Sequence, residues 1–104
     1  MATVIWSERA ISDSEGIYDY LARDSLLYAQ YTIQNIFKST ERLQLFPNSG
    51  RFLPEFPNTL YRELITGNYR IIYRYDEAKD TVMIITVLHG SRLLKEDIFD
   101  NSVA

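Results

Sequence analysis

The chain contains no cysteine, which rules out disulfides, thiol nucleophiles and thiolate metal ligands. With one histidine, His89, and no thiols, the chain is poor in the ligands that transition metals favour, so neither a metal nor another cofactor is expected. Hydrophobic runs are short. None approaches the roughly 20 residues that a membrane-spanning helix needs, and no charged-then-apolar leader opens the sequence. Net charge is also small: a formal value of -3 argues against a chain held on nucleic acid by bulk electrostatics. The prolines number three, Pro47, Pro54 and Pro57, so strong breaks are confined to one stretch. These absences leave the expectation of a cytoplasmic, metal-free single domain spanning residues 1–104, off the membrane, with about 99–104 as a flexible tail.

What is present is ordinary for a globular protein. Hydrophobic residues make up 46% and charged residues 24% of 104 positions, enough to bury a core. The densest apolar packing lies between Leu60 and Leu94, together with His89, Arg62, Arg70, Arg74 and Arg92. Tyr69 to Tyr75 is rich in the aromatic and β-branched residues that suit a pleated strand. Alternation places Tyr69, Ile71, Tyr73 and Tyr75 on one face, with Arg70, Ile72 and Arg74 on the other. Thr81 to His89 is apolar on both faces, as a strand covered on both sides should be. Thr66-Gly67-Asn68 and Asp76-Glu77-Ala78-Lys79-Asp80 are hairpin-sized links on either side of Tyr69–Tyr75. The C-terminal half therefore reads as an antiparallel meander.

Upstream, Thr3–Trp6 is a short β-prone start and Ser7 a candidate N-cap. Ala10, Ile11, Ser14, Ile17, Tyr18 and Leu21 then recur at helical spacing through about Arg23. Gly16 interrupts that stripe at roughly 1 kcal/mol relative to Ala, which a close approach to the core or a local irregularity would explain. Asp24-Ser25 supplies a turn and a second N-cap. Ala29, Ile33, Ile36, Phe37, Thr40 and Leu43 form the stripe of a second helix that must end by Phe46, ahead of Pro47. So short a link makes the two helices an antiparallel αα-hairpin. Pro54 and Pro57 bar Phe52–Thr59 from an internal strand, leaving Phe52, Leu53 and Phe56 to anchor an irregular stretch over a core edge. After Arg92, Leu93–Phe99 reads as either a short helical turn or an extended tail. The order is an α+β fold, β-α-α-β-β-β, with the helical hairpin packed on one face of an antiparallel sheet. The first strand is compatible with an edge position beside the last, with the hairpin as its crossover. The opposite sheet face and its arginine-bearing rim would be left for a macromolecular target.

This order, together with Pro47-Asn48-Ser49-Gly50-Arg51, Arg62-Glu63-Leu64, Asn68-Tyr69-Arg70-Ile71-Ile72-Tyr73 and Val87-Leu88-His89-Gly90-Ser91-Arg92, resembles the RelE/ParE superfamily. Those are toxins of bacterial type II toxin–antitoxin modules, and the resemblance runs from about Val4 to Leu94. It implies alternatives. One branch resembles RelE, ribosome-dependent endoribonucleases that cut messenger RNA in the decoding site. The other resembles ParE, which poisons DNA gyrase and is not itself known as a nuclease. In both, a cognate antitoxin folds a disordered C-terminal segment over the toxin. The implied partners are thus an antitoxin and either gyrase or the ribosome with its mRNA, as a homodimer or as a heterotetramer with antitoxin. A degenerate module that binds antitoxin without toxicity is a third alternative.

RNA cleavage through the 2′-hydroxyl needs a proton acceptor, a proton donor and cations for the phosphorane charge. Under the RelE alternative the catalytic candidates are Arg62, Arg70, His89 and Arg92, since guanidinium forks grip phosphate oxygens bidentately. Arg92 matches the phosphate-binding arginine at the end of that branch's final strand. Glu63 would be a base, although its neighbour Arg62 must face the other side of the strand. Two departures favour ParE. Lys95-Glu96-Asp97-Ile98-Phe99 lacks the tyrosine of the RelE branch, and the chain is acidic where docking into ribosomal RNA favours a basic one. The cations also have structural readings: His89 as a hydrogen-bonding residue at a strand end, Arg70 paired with Glu63 or Asp19, Arg51 satisfying turn carbonyls. Tyr69, Tyr73 and Tyr75 read as core before stacking platform. The sequence points first to a ParE-like toxin, a protein-binding growth inhibitor acting through the helical hairpin and the sheet end.

Overall fold

Ser7 is where the first strand turns into a helix. Its N–H bonds the Ile84 carbonyl at 3.0 Å, while its hydroxyl donates to the Ile85 carbonyl at 2.8 Å and accepts the Ala10 N–H at 3.0 Å. In this computed structural model, which describes residues 1–97, β1 (Thr3–Trp6) ends at that residue and α1 (Glu8–Ala22) begins. Ser25 repeats the device, accepting the Tyr28 N–H at 3.1 Å to start α2 (Leu26–Glu41). A 3₁₀ turn, Arg42–Gln44, closes the helical part before Pro47.

The sheet follows as β2 (Arg51–Phe52), β3 (Tyr61–Thr66), β4 (Tyr69–Asp76) and β5 (Thr81–His89), in the spatial order β1-β5-β4-β3-β2. β1 lies at the edge, parallel to β5, and the other pairings are antiparallel, so the sheet is mixed rather than wholly antiparallel. A parallel pair needs a long crossover, and the helices sit on that path. The fifth strand, β2, has two residues because Pro54 stops the ladder just beyond it. Thr66 opposes Tyr69 across a two-residue loop in which Gly67 has φ 55°, the backbone that a II′ hairpin demands of its first loop residue.

Both faces of this sheet are covered among the described residues. Toward the helices, Ile71 and Tyr73 of β4 pack with Leu64, Val82, Ile84 and Ile36 in the main apolar cluster. Trp6 and Phe37 add a tilted ring contact at 4.8 Å. On the other face Leu53, Ile72, Ile85 and Leu94 form a second cluster, with Phe56 and Met83 packed against it. That face is therefore not left bare. The proline-containing stretch after β2 and the chain after β5 fold across it, because Ile72 and Ile85 offer apolar surface that must be shielded.

β5 carries one irregularity. Ile84 opposes Tyr73 and Thr86 opposes Ile72, so Ile85 is an extra residue. The shifted register hands the Thr86 hydroxyl and the Val87 N–H to one carboxylate oxygen of Asp13 on α1, the latter at 3.1 Å. β1 has ended by then, and Asp13 occupies the edge where a further strand would pair. A Cβ built on Gly16 would meet nothing within 4 Å, so a close approach to the core does not explain that glycine, and α1 runs unbroken through it. Among the described residues no helix is long and apolar enough to cross a membrane. Ile98, Phe99 and the expected tail lie outside the described residues.

Candidate functional site

Strand parity decides where the four candidate residues go. Arg62 opposes Tyr73 and so shares the helix-facing side, whereas Arg70 opposes Ile65 on the other side. The two arginines therefore lie on opposite faces of the sheet. His89 opposes Tyr69 and falls on the helix-facing side with Arg62. Four residues along the sheet and two strands across still separate those two, a gap on the order of 15 Å.

Arg62 stacks on the Phe52 ring at 4.0 Å and donates to the Gly50 carbonyl at 2.9 Å. It thus has the turn-carbonyl role expected of Arg51, whose Nε instead pairs with Glu63. Arg70 is buried and bonded from all three of its nitrogens. Its Nε donates to Glu63 Oε1 at 2.7 Å, and its two terminal nitrogens grip Glu55 at 2.7 and 2.8 Å. Asp19 takes no part in this cluster. The guanidinium's own pKa is raised, chiefly by Glu55. The same guanidinium holds the Glu55 carboxyl down at about 2. Two arginines, Arg51 and Arg70, balance two carboxylates here, so the cluster offers no spare positive charge to a phosphate.

His89 and Arg92 do come together. The His89 ring meets Tyr69 edge-on at 5.6 Å. The Ser91 N–H lies 3.1 Å from its Nδ1 and the Ser91 hydroxyl 2.7 Å away. Both residues line a cleft of about 540 Å³ with Ile17, Tyr20, Tyr69 and Val87. Arg92 also borders a second cleft of about 520 Å³ formed with Arg9, Asp13, Lys95 and Asp97. The helical hairpin and the sheet end meet here in one rim, with Leu26, Leu27, Tyr28 and Tyr31 exposed beyond it. Among the described residues no group of three His, Cys, Asp or Glu side chains could hold a metal ion.

Sequence reasoning missed Glu55, Asp13 and the exposed tyrosines. Glu55 lies between two prolines where no periodicity assigns a face, so only the fold reveals its partner. The tyrosines were legible: Tyr20, Tyr28 and Tyr31 fall outside the apolar stripes, and aromatic residues off the stripe of a surface helix need a reason to be there.

The model of the family described as "ParE toxin of type II toxin-antitoxin system, parDE" matches residues 4–94. The chain belongs to this family. This ParE-family toxin is 32% identical over 93 residues to "Toxin RelE2" of Caulobacter vibrioides, covering 89% of the one and 100% of the other. It shares its fold with the chromosomal ParDE system of P. aeruginosa, at a TM-score of 0.71 and 22% identity over 86% of this chain and 96% of that one. The isolated E. coli RelE toxin is similar at a TM-score of 0.60 and 15% identity, covering 99% and 96%. The chain is thus the toxin of a type II toxin–antitoxin system.

Proposed function

We propose that this ParE-family toxin acts by binding a protein, obstructing DNA gyrase through the rim where the helical hairpin meets the end of β5. A cognate antitoxin neutralises it. The contact surface is Tyr20, Tyr69, His89 and Arg92, flanked by Leu27 and Tyr28. Tyrosine and arginine are the residue types that dominate interface energetics, because each brings a large apolar body and a directional polar end.

The observation that supports this reading most is the state of Arg70. An arginine meant to stabilise a phosphorane must have charge to spare, and this one is neutralised by Glu55 and Glu63 in a site with little water. Purified toxin is expected to inhibit gyrase supercoiling, and its induction without antitoxin to raise DNA-damage signalling. Arg92→Ala should weaken inhibition at least about tenfold.

The second reading is a ribosome-dependent mRNA endoribonuclease, with His89 and Arg92, the two of the four candidates that share a cleft, in catalytic roles. It is favoured by the relative named RelE2. Rapid loss of translated messages with cuts inside codons, while supercoiling continues, would establish it and overturn the first. No growth arrest at all in the absence of antitoxin would leave a module that keeps only antitoxin binding.

A further inference from the structure

Three hydrogen bonds converge on residues 92–94. The Arg92 N–H donates to the His89 carbonyl at 3.0 Å, and the Arg92 carbonyl accepts from Arg70 Nη1 at 3.0 Å. The Leu94 N–H donates to Glu55 Oε2, also at 3.0 Å. The Leu94 side chain is buried against Leu53, Ile72 and Ile85. Arg92 is thereby fixed from both sides, although it stands in a segment without regular secondary structure. A loop of this kind ordinarily has few contacts and moves freely.

The groups that fix it are themselves fixed by each other. The bidentate pairing of Arg70 with Glu55 sets orientation as well as position. Glu63 anchors Arg70 from the strand behind. The side chains of Arg70 and Glu55 are 7% and 16% exposed, so water competes little. Such buried charges stabilise once in place but are not needed for stability, because apolar residues of the same volume commonly serve a core as well or better. They are well explained by geometry: Arg70 bonds the carbonyl of Arg92, the cation that borders both clefts, and Glu55 bonds the Leu94 N–H two residues on.

We propose that Glu55 and Arg70 are positioning residues, holding Arg92 between the two clefts so that growth inhibition depends on a carboxylate that never touches the target. The inference rests on Arg92 being the target-binding group, and the experiment separates the two. The full chain is induced without antitoxin, and growth arrest is measured against toxin level, which presumes no particular target. Arg92→Lys keeps the charge but loses the fork, and should need roughly tenfold more toxin for the same arrest. Glu55→Gln should cause a similar loss, and combining it with Arg92→Lys should add nothing further. Amide spectra of Glu55→Gln should change around residue 55, its partner Arg70 and residues 90–95 and not elsewhere in the sheet, with Leu94 exchange at least about tenfold faster.

Additive losses in the double variant, or spectral changes spread through the sheet, would overturn the proposal and make the pair purely structural. Full arrest by Glu55→Gln, with Arg92→Ala inactive, would overturn the positioning role and leave the reading of Arg92 intact. Full arrest by Arg92→Ala would remove both. If Glu55→Gln does not fold, Glu55→Asp carries the same comparison, because it keeps the charge and shortens the reach.

Discussion

Arg70 donates to Glu55 from both terminal nitrogens, and the Leu94 N–H adds a third bond to the same carboxylate. Bonding from Arg70 outweighs burial, which pushes the other way, and brings the pKa from 4.5 to about 2. A carboxylate depressed on folding stabilises fully above its unfolded value and loses that contribution as pH falls through the folded one. For Glu55 the loss runs from about pH 4.5 down to about 2. A shift of this size corresponds to stabilisation on the order of 3 kcal/mol. Urea titrations across that window should show stability falling, and Glu55→Gln should flatten the fall. A variant with the wild-type acid slope would exclude Glu55 as its origin. Tyr73 acts at the same scale without charge. Its buried hydroxyl donates to the Pro47 carbonyl at 2.8 Å and accepts the Gly50 N–H at 2.9 Å. Tyr73→Phe keeps the ring but strands both turn groups, and should lower the unfolding free energy by about 1–3 kcal/mol in chemical denaturation.

The same hydroxyl explains the turn that leads into β2. A Cβ on Gly50 would come within 2.6 Å of the Glu63 carbonyl oxygen and 2.7 Å of the Tyr73 ring. Backbone cannot yield there without moving β3, so Gly50→Ala should be destabilising by about 1–3 kcal/mol, whereas Gly16→Ala, with open space around it, should stabilise α1 by up to about 1 kcal/mol. Thermal midpoints moving in the same direction for both would refute this account. Elements whose signals are local were legible in the sequence. Ser7 and Ser25 cap as their hydroxyls allow, and alternation in Tyr69–Tyr75 sorts Ile71 and Tyr73 from Ile72 as the two clusters do. The parallel pairing of β1, the brief β2 and the extra Ile85 were not, because each depends on what another segment does at a distance. The candidate site divides the same way. Arg70 pairing with Glu63 follows from strand neighbours, but Glu55 reaches Arg70 only after an irregular stretch folds over Ile72.

At the scale of the whole molecule, the apolar surface is unevenly used. Two clusters take up both faces of the sheet, yet Leu26, Leu27, Tyr28 and Tyr31 remain exposed at the start of α2. A helix turn that is apolar on its outer side is ordinarily buried against something. β5 runs on past β1, and its edge there is met by the Ser7 hydroxyl and the Asp13 carboxylate rather than by another strand among the described residues. An antitoxin segment disordered when free would gain by folding onto such a surface as a helix or an added strand. Mixing the toxin with a cognate antitoxin should then give more helical ellipticity than the sum of the separate spectra. Leu27, 79% exposed, contributes little to the toxin's own fold. Leu27→Ser should therefore leave its melting unchanged but weaken antitoxin binding about tenfold or more, since burying a leucine contributes about 1.5–3 kcal/mol. An additive spectrum would argue against coupled folding. Unaltered affinity in the leucine variant would move the antitoxin away from this end of the hairpin.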